Sequence, residues 1–209
     1  MKRTSLIATL FVILIFISPV LAESTTLKIT SKVNPKFIIE EIKEKPYILY
    51  FTVGKLYFKA NNLEKSQEMF QKAINLNNDF AQAHYNLAVV YYENKEYDKA
   101  LEKLKETISL DSSYSRAYNS LGVLYFELGE INNAIESFSK TVELEPNNIN
   151  ASFDLAQSYV ARFRKAELTS TQDYDDLDKA LLYLKKTEEL QPDFPNALNN
   201  IEIIESILK

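Results

Sequence analysis

The sequence predicts an all-α fold: a solenoid of stacked helix-turn-helix repeats that ends in a C-terminal capping helix. The first observation behind this prediction is a set of four tyrosines at intervals of 34 residues: Tyr57, Tyr91, Tyr125 and Tyr159. A fixed period of that length is typical of stacked helical hairpins. The second observation is that only 3 Gly and 6 Pro occur among 209 residues, and no proline needs to lie inside a helix. Long helices are therefore expected through most of the chain.

Small and large residues keep the same step as the tyrosines. The small positions are Gly54, Ala88, Gly122 and Ala156, and the large apolar positions that follow are Phe70, Leu104 and Phe138. Alternation of small and large residues at matched places in two helices is what close interdigitated packing requires. The pattern therefore predicts two helices in each repeat that pack closely against one another.

The breaks between the two helices of a repeat also recur. In the third repeat, Leu121, Leu124 and Leu128 lie on one face of a predicted helix, and Gly129 ends it. The equivalent breaks fall at Asn61 and at Lys95. Asn tolerates the left-handed backbone that ends a helix, whereas Lys tolerates it less well, so slight strain is expected at Lys95.

The third repeat closely resembles the tetratricopeptide repeat. Residues 119–125 read Asn-Ser-Leu-Gly-Val-Leu-Tyr, and Ala134, Phe138 and Pro146 follow at the family's spacing. The resemblance covers about two-thirds of the chain. It implies a right-handed α-solenoid and a function in protein–protein interaction.

The family pattern divides the chain into four repeats and three flanking segments. The predicted repeats are 47–80, 81–114, 115–148 and 149–194, and the flanking segments are 1–22, 23–46 and 195–209. The fourth repeat is 46 residues long, so 12 residues are inserted, at about 162–176. Residues 23–46 are interpreted as a linker followed by an N-terminal helix.

The last segment, 195–209, is interpreted as the capping helix, which Pro195 can open. Its predicted apolar stripe consists of Leu198, Ile201, Ile204, Ile207 and Leu208. If this stripe is more than the last repeat can cover, it is a dimer surface instead.

The N-terminus is typical of an export signal. Lys2 and Arg3 precede an apolar run from Leu6 to Ile17, and Ala22 ends a suitable cleavage site. Residues 1–22 are therefore predicted to be a signal peptide, with a periplasmic or secreted mature protein. The alternative is an uncleaved membrane anchor at residues 6–21 that holds the repeats outside the cytoplasm.

Composition excludes several kinds of partner and chemistry. The chain has no cysteine, which excludes disulfides, thiolate catalysis and Cys-ligated metals. Its net charge is −5, and loss of residues 1–22 removes two cations and no acids, which leaves −7. An acidic protein does not suit a phosphate backbone, so nucleic acid is not an expected partner.

Candidate binding residues follow from the resemblance, since the first helices of the family's repeats line the inner curve of the arc. One row is Phe51, Tyr85, Asn119 and Phe153, the next is Lys55, Val89, Val123 and Gln157, and the third is Phe58, Tyr92, Phe126 and Val160. The functional interpretation is an aromatic groove that grips an extended or helical peptide. The alternative is that these aromatic residues pack between helices.

Some family members bind acidic peptide C-termini through a clamp of Lys, Asn and Arg residues. Here Asn86 and Arg116 match the clamp, but Lys55 and Ser120 replace an Asn and an Arg. Chaperone-tail binding is therefore not predicted, and Arg116 stays a general candidate for peptide contact.

Catalysis and metal binding are not predicted, and no cofactor is expected. His84, the one histidine, occupies an aromatic packing place in its repeat, and a general base would also need a positioned partner. The acidic cluster at Asp173, Asp175, Asp176 and Asp178 lacks the Gly and Glu of a calcium loop.

The sequence therefore predicts an exported, non-catalytic adaptor or scaffold that binds a protein or peptide along its inner curve. The alternative is a self-associating structural subunit of an envelope assembly.

Overall fold

Helices follow one another in pairs through the computed structural model, which describes residues 44–167 and 174–209. The helices are α1 Pro46–Lys59, α2 Leu63–Leu76, α3 Ala81–Glu93, α4 Tyr97–Leu110, α5 Ser115–Glu127, α6 Ile131–Leu144, α7 Ile149–Glu167, α8 Asp175–Leu190 and α9 Ala197–Ile207. Within those two ranges every regular element is a helix, so the predicted all-α class is confirmed.

The chain divides into two units, Met1–Leu110 and Asp111–Lys209. In the first unit, α1 packs on α2, α2 on α3, and α3 on α4. In the second unit, the same succession runs from α5 to α9. Within each unit, successive hairpins therefore pack against one another, as stacked repeats require.

The tyrosine period marks a helix end that recurs in three hairpins. Helices α1, α3 and α5 are each followed by a residue in the left-handed conformation: Asn61 at φ 56°, Lys95 at φ 61° and Gly129 at φ 73°. The next residue in each case donates its N–H to a tyrosine carbonyl, at 2.8–2.9 Å, and the acceptors are Tyr57, Tyr91 and Tyr125. This arrangement satisfies carbonyls that the end of a helix leaves without partners. The expected left-handed backbone at Lys95 is confirmed.

The small residue of the first helix lies against the large residue of the second. A Cβ atom placed on Gly54 would lie 2.7 Å from the Phe70 ring, and one on Gly122 would lie 2.6 Å from the Phe138 ring. Both rings are almost fully buried. The predicted small–large packing is therefore confirmed. In these two hairpins the two helices lie so close that even the methyl group of an alanine at the glycine position would be too near the ring.

The fourth hairpin contains a long first helix. Helix α7 continues eight residues past Tyr159, to Glu167, and so extends into the predicted insertion. Arg162 on this helix binds both carboxylate oxygens of Asp176 on α8, at 2.8 and 2.5 Å. Residues 168–173 of the predicted insertion lie outside the described residues. The Arg162–Asp176 pair therefore joins the two helices on either side of that segment.

Helix α9 caps the last hairpin, but the predicted stripe is partly wrong. Ile204 is buried and Ile201 and Leu208 are half-buried against the core of the last hairpin, whereas Leu198 and Ile207 are each 46% exposed. Ala197 is the buried residue at the start of the helix. The buried residues recur at steps of three and four, which is one helix face, and the two exposed residues lie at its flanks.

The start of α9 also differs from the prediction. Asn196, in the left-handed conformation at φ 65°, is the N-cap, and the helix begins at Ala197, after Pro195. Asn is among the few non-Gly residues that adopt this backbone readily.

The predicted signal peptide or anchor at 1–22, and the part of the linker and N-terminal helix up to residue 43, lie outside the described residues. In the part of the chain that the structure describes, no helix is long and apolar enough to cross a membrane.

Candidate functional site

A groove between α5 and α7 in the second unit encloses about 290 Å³. Its lining, which defines the α5–α7 groove, consists of Val123, Phe126, Glu127, Phe138, Asp154 and Gln157. Val123, Phe126 and Gln157 belong to the rows that the family resemblance placed on the inner curve. The structure therefore brings three residues of those rows together in one concave site.

Helix geometry explains how these side chains meet. Val123, Phe126 and Glu127 lie at steps of three and four on α5, and Asp154 and Gln157 lie three apart on α7, so each set shares a helix face. The first helices of the two hairpins contact each other directly. The groove therefore has apolar residues from α5 along one wall and polar residues from α7 along the other.

The floor of the groove is apolar, and one large apolar side chain lies at its rim. Phe138 of α6 is only 2% exposed and forms part of the floor, where its ring is held against Gly122. Phe126 is 38% exposed, although it is a large apolar side chain. A partly exposed aromatic ring beside a small cavity is typical of a contact surface for a partner.

Asp154 is the residue with the strongest electrostatic perturbation in the groove. Burial raises its pKa from the ordinary value of 3.8 to about 6. Burial is also the sole cause of the shift, so no cation or hydrogen-bond donor in the described residues compensates the carboxylate. The groove therefore contains a half-buried acid whose ionised form is disfavoured by burial.

Sequence reasoning missed Asp154, although a signal was present. Asp154 follows Asn86 and Ser120 at the 34-residue step, so it stands at the place considered for the peptide clamp. An acid at this place reverses the charge that the clamp would need there.

Three candidate residues of the first unit, Phe51, Lys55 and Tyr92, contact aromatic rings of the same unit. The Phe51 ring lies 4.9 Å from the Phe80 ring and 5.8 Å from the Phe70 ring, and Lys55 Nζ lies 5.5 Å from the centre of Phe51. The Tyr92 ring lies 5.8 Å from the Tyr97 ring. The alternative interpretation, that these aromatic residues pack between helices, therefore describes Phe51 well.

The remaining candidates differ in environment. Phe58, Tyr85 and Val89 are half-buried in the first unit. In the second unit, Arg116 is exposed and lies over the Tyr114 ring, with 5.7 Å between the guanidinium carbon and the ring centre.

Two candidates of the second unit, Phe153 and Asn119, are half-buried. The Phe153 ring lies 5.0 Å from the Phe194 ring and packs against the core of the last hairpin, so it has mainly a packing role. The side-chain oxygen of Asn119 is buried, with no hydrogen-bond partner in the structure.

His84 is buried at 3% exposure, which confirms its predicted place in the packing. Its Nδ1 lies 2.7 Å from a Glu106 carboxylate oxygen and its Nε2 lies 2.9 Å from the Asn78 carbonyl oxygen. Partial burial alone would raise the pKa of Glu106, but hydrogen bonds from Lys103 and His84 outweigh it and lower that pKa. These contacts join α3 to α4, and they explain why a polar ring fits an aromatic position.

Two of the acidic residues at the start of α8 form ion pairs. Asp176 is 5% exposed and pairs with Arg162, and Asp175 pairs with Lys179. Asp173 lies outside the described residues. Across residues 44–167 and 174–209, no group of three His, Cys, Asp or Glu side chains is placed to hold a metal ion.

Comparisons with known proteins agree with this architecture. The family model for the TPR repeat matches residues 54–95 and 90–129, and the model for the tetratricopeptide repeat matches residues 115–148. No curated protein sequence matches the chain significantly.

Solved structures give the same result. The crystal structure of MamA is 26% identical, covers 73% of this chain and 84% of MamA, and has a TM-score of 0.59. YrrB, a TPR protein with an unusual peptide-binding site, is 21% identical over 81% of this chain and 82% of YrrB, with a TM-score of 0.66. The first TPR of Spaghetti (RPAP3), bound to the HSP90 peptide SRMEEVD, is 24% identical over 56% of this chain and 93% of that chain, with a TM-score of 0.54. The repeat matches and the shared fold together show that this chain is a tetratricopeptide repeat protein.

Proposed function

We propose that this chain is an exported, non-catalytic scaffold that binds a protein or peptide partner on the first helices of its repeats. The α5–α7 groove is the contact site that carries the proposal. It combines an apolar floor, an exposed aromatic ring and two polar side chains from a second helix, Asp154 and Gln157.

The size of the groove suits part of a polypeptide. Pockets for small molecules enclose roughly 300–1,000 Å³ and bury most of their ligand. The α5–α7 groove encloses about 290 Å³ and is open along the helices. One or two side chains of a longer partner fit such a site better than a whole small molecule does.

The structural neighbours support a polypeptide ligand. YrrB has an unusual peptide-binding site, and the structure of the first TPR of Spaghetti contains a bound HSP90 peptide. Both share the fold of this chain, so a peptide on the same helical scaffold is a physically reasonable ligand here.

Export rests on the N-terminal sequence. The charged, apolar and small-residue regions of residues 1–22 have the order of a signal peptide. Expression of the full 209-residue chain in a secreting host, followed by intact-mass measurement, tests this step. We expect the product to begin at Glu23 and to lie outside the cytoplasm, and an unprocessed cytoplasmic product would contradict export.

A second candidate function is self-association, because an apolar surface lies beside the cap. Ile203 and Ile207 of α9 are each 46% exposed and, with Phe163 and Leu177, line a second groove of about 80 Å³. Light scattering over a range of concentrations separates the two functions. A monomer at every concentration would rule out self-association through this surface.

Peptide selection tests the principal proposal. The protein purified after expression of the full chain is used to select binders from a displayed library of random dodecapeptides. Selected peptides are then titrated against wild type, Phe126→Ala and Leu182→Ala. Leu182 is a matched control because it is apolar and 63% exposed but does not line the groove.

We expect Phe126→Ala to weaken peptide binding by about tenfold or more, since exposed aromatic anchors often contribute over 1 kcal/mol to binding. Leu182→Ala should bind as wild type does. If no peptide is enriched, or if both variants bind like wild type, the groove is not the binding site.

A further inference from the structure

We propose that the α5–α7 groove selects a peptide with a cationic side chain, lysine or arginine, and that Asp154 is the specificity-determining residue. This inference rests on the proposed function and names the class of partner for the same site. Its first support is charge: Asp154 is a half-buried acid of the groove, and the described residues that line the groove include no Lys or Arg. A cation is therefore the complementary charge.

The apolar residues of the groove suit the stem of the same side chain. Lys and Arg carry three or four methylene groups that pack along apolar surface while the charge stays at a polar end. Val123 and Phe126 provide such a surface on α5, and Asp154 lies across the groove on α7. The Phe126 ring, which is 38% exposed, also offers a face over which a cation is favourable.

The environment of Asp154 favours an occupant of opposite charge. A half-buried carboxylate without a compensating partner is costly to keep ionised, which is why its pKa rises. A bound ammonium or guanidinium group would make a charge-assisted hydrogen bond to this carboxylate. Gln157, three residues along the same helix, adds an amide oxygen that can accept a further hydrogen bond.

The rest of the chain points the same way. The predicted mature protein has a net charge of −7, which attracts cationic ligands over longer distances. An acidic peptide would meet both this net charge and Asp154 itself. Negative charge at the groove and on the whole protein therefore disfavours acidic ligands and favours basic ones.

Oriented peptide libraries test the proposal. Four dodecapeptide libraries have random flanking positions and one fixed central residue, which is Lys, Arg, norleucine or Glu. Norleucine has the apolar stem of Lys without its charge. Each library is passed over the purified protein as wild type, Asp154→Asn, Asp178→Asn and Phe126→Ala, and the bound fractions are quantified.

The variants are chosen so that fold and charge are controlled. Asp154→Asn keeps the shape of the side chain and removes its charge. Asp178→Asn removes the same charge from an exposed residue of α8 that does not line the groove. Circular dichroism and melting curves of all four proteins show that differences in binding do not come from unfolding.

We expect wild type and Asp178→Asn to retain the Lys and Arg libraries about tenfold more than the norleucine library, and the Glu library least, since one charge-assisted hydrogen bond is worth about that factor. Asp154→Asn should lose most of this preference. Phe126→Ala should bind all four libraries weakly.

Each other outcome overturns a defined part of the account. One outcome is that the four libraries are retained equally, or that the Glu library is preferred, while retention still depends on Phe126. That outcome contradicts the cationic specificity but not the peptide groove. A Lys preference that persists in Asp154→Asn contradicts the role of Asp154. Retention that does not depend on Phe126, or no retention at all, contradicts the groove itself.

Discussion

Two kinds of hairpin meet the same packing requirement with different pairs of residues. In α1–α2 and α5–α6, a glycine lies against a phenylalanine ring: Gly54 against Phe70 and Gly122 against Phe138. In α3–α4 and α7–α8, the same positions hold alanine and leucine, and all of them are buried: Ala88, Leu104, Ala156 and Leu184. Where the first position holds Ala instead of Gly, the second position holds Leu instead of the larger Phe. The contact between the two helices of a hairpin therefore constrains the summed volume of a pair more than the identity of either residue.

The α7–α8 hairpin differs in a second way, because it contains polar groups that its packing does not need. Asp154 faces the α5–α7 groove, and Arg162 pairs with Asp176 beside the inserted segment. The α5–α6 hairpin has Ser120 in place of Asp154. The repeated positions hold the scaffold together, and the departures from them are where specific chemistry is expected.

The largest expected effect comes from Gly122→Ala. The new methyl group would lie 2.6 Å from the Phe138 ring, which cannot move far because it is buried. Overpacking of this kind costs about 2 kcal/mol of unfolding free energy. Urea unfolding measures the loss.

The comparison of the two hairpins also predicts a rescue. The double variant Gly122→Ala with Phe138→Leu recreates the Ala–Leu pair of α7–α8, so we expect it to regain about 1 kcal/mol over Gly122→Ala alone. If the double variant loses the sum of the two single effects, the paired positions do not compensate each other in volume.

A similar but smaller loss is expected for Asp176→Ala. This change leaves Arg162 without its carboxylate partner, but the Arg162 side chain is 36% exposed and stays partly hydrated. Loss of one partner from a fully buried pair costs roughly 3–5 kcal/mol, so about 1.5 kcal/mol is expected for this partly hydrated pair.

The neighbouring Asp175→Ala is the matched control. Its exposed pair with Lys179 should contribute little to stability, because solvent screens both charges. Equal effects of the two substitutions would show that the Arg162–Asp176 pair does not stabilise the junction of α7 and α8.

The smallest expected effect is a gain, from Asp154→Asn. The pKa of this carboxyl is raised from 3.8 to about 6, so the folded protein holds its proton more tightly than the unfolded chain. Wild-type stability should therefore fall as pH rises from about 4 to 6 and stay at the lower level above pH 6.

The variant lacks this penalty. We expect it to be more stable than wild type by about 1 kcal/mol at pH 7.5, after allowance for partial solvent exposure, and equally stable near pH 3.5. Thermal unfolding across this pH range measures the difference, with Asp178→Asn as the control. A gain that is the same at both pH values would show that burial of the charge is not its cause.

The sequence predicts the fold well because its signals are periodic and local. Gly129 and Asn61 mark helix ends, and Gly122 with Phe138 marks a close contact, since each residue type has few other uses at such a place. The capping helix is less well predicted. Leu198 and Ile207 read as part of an apolar stripe, but a short helix with many apolar residues does not show which of them face inward.

The candidate site is only partly predictable. Phe126 and Gln157 were found because they occupy repeated positions, and Phe153 was included for the same reason although it packs in the core. The pKa of Asp154 is raised by burial and by the absence of a compensating group, and both depend on neighbours in three dimensions. The Arg162–Asp176 pair spans the insertion, where the period no longer indicates which residues meet.

Photo-crosslinking tests the central claim, that the α5–α7 groove binds a peptide, most directly. A selected dodecapeptide with a benzophenone side chain is irradiated with the purified protein, and mass spectrometry locates the attachment points. We predict attachment within residues 119–127 of α5 and 153–160 of α7, and loss of attachment in Phe126→Ala. Attachment confined to α8 or α9, unchanged in that variant, would contradict the claim.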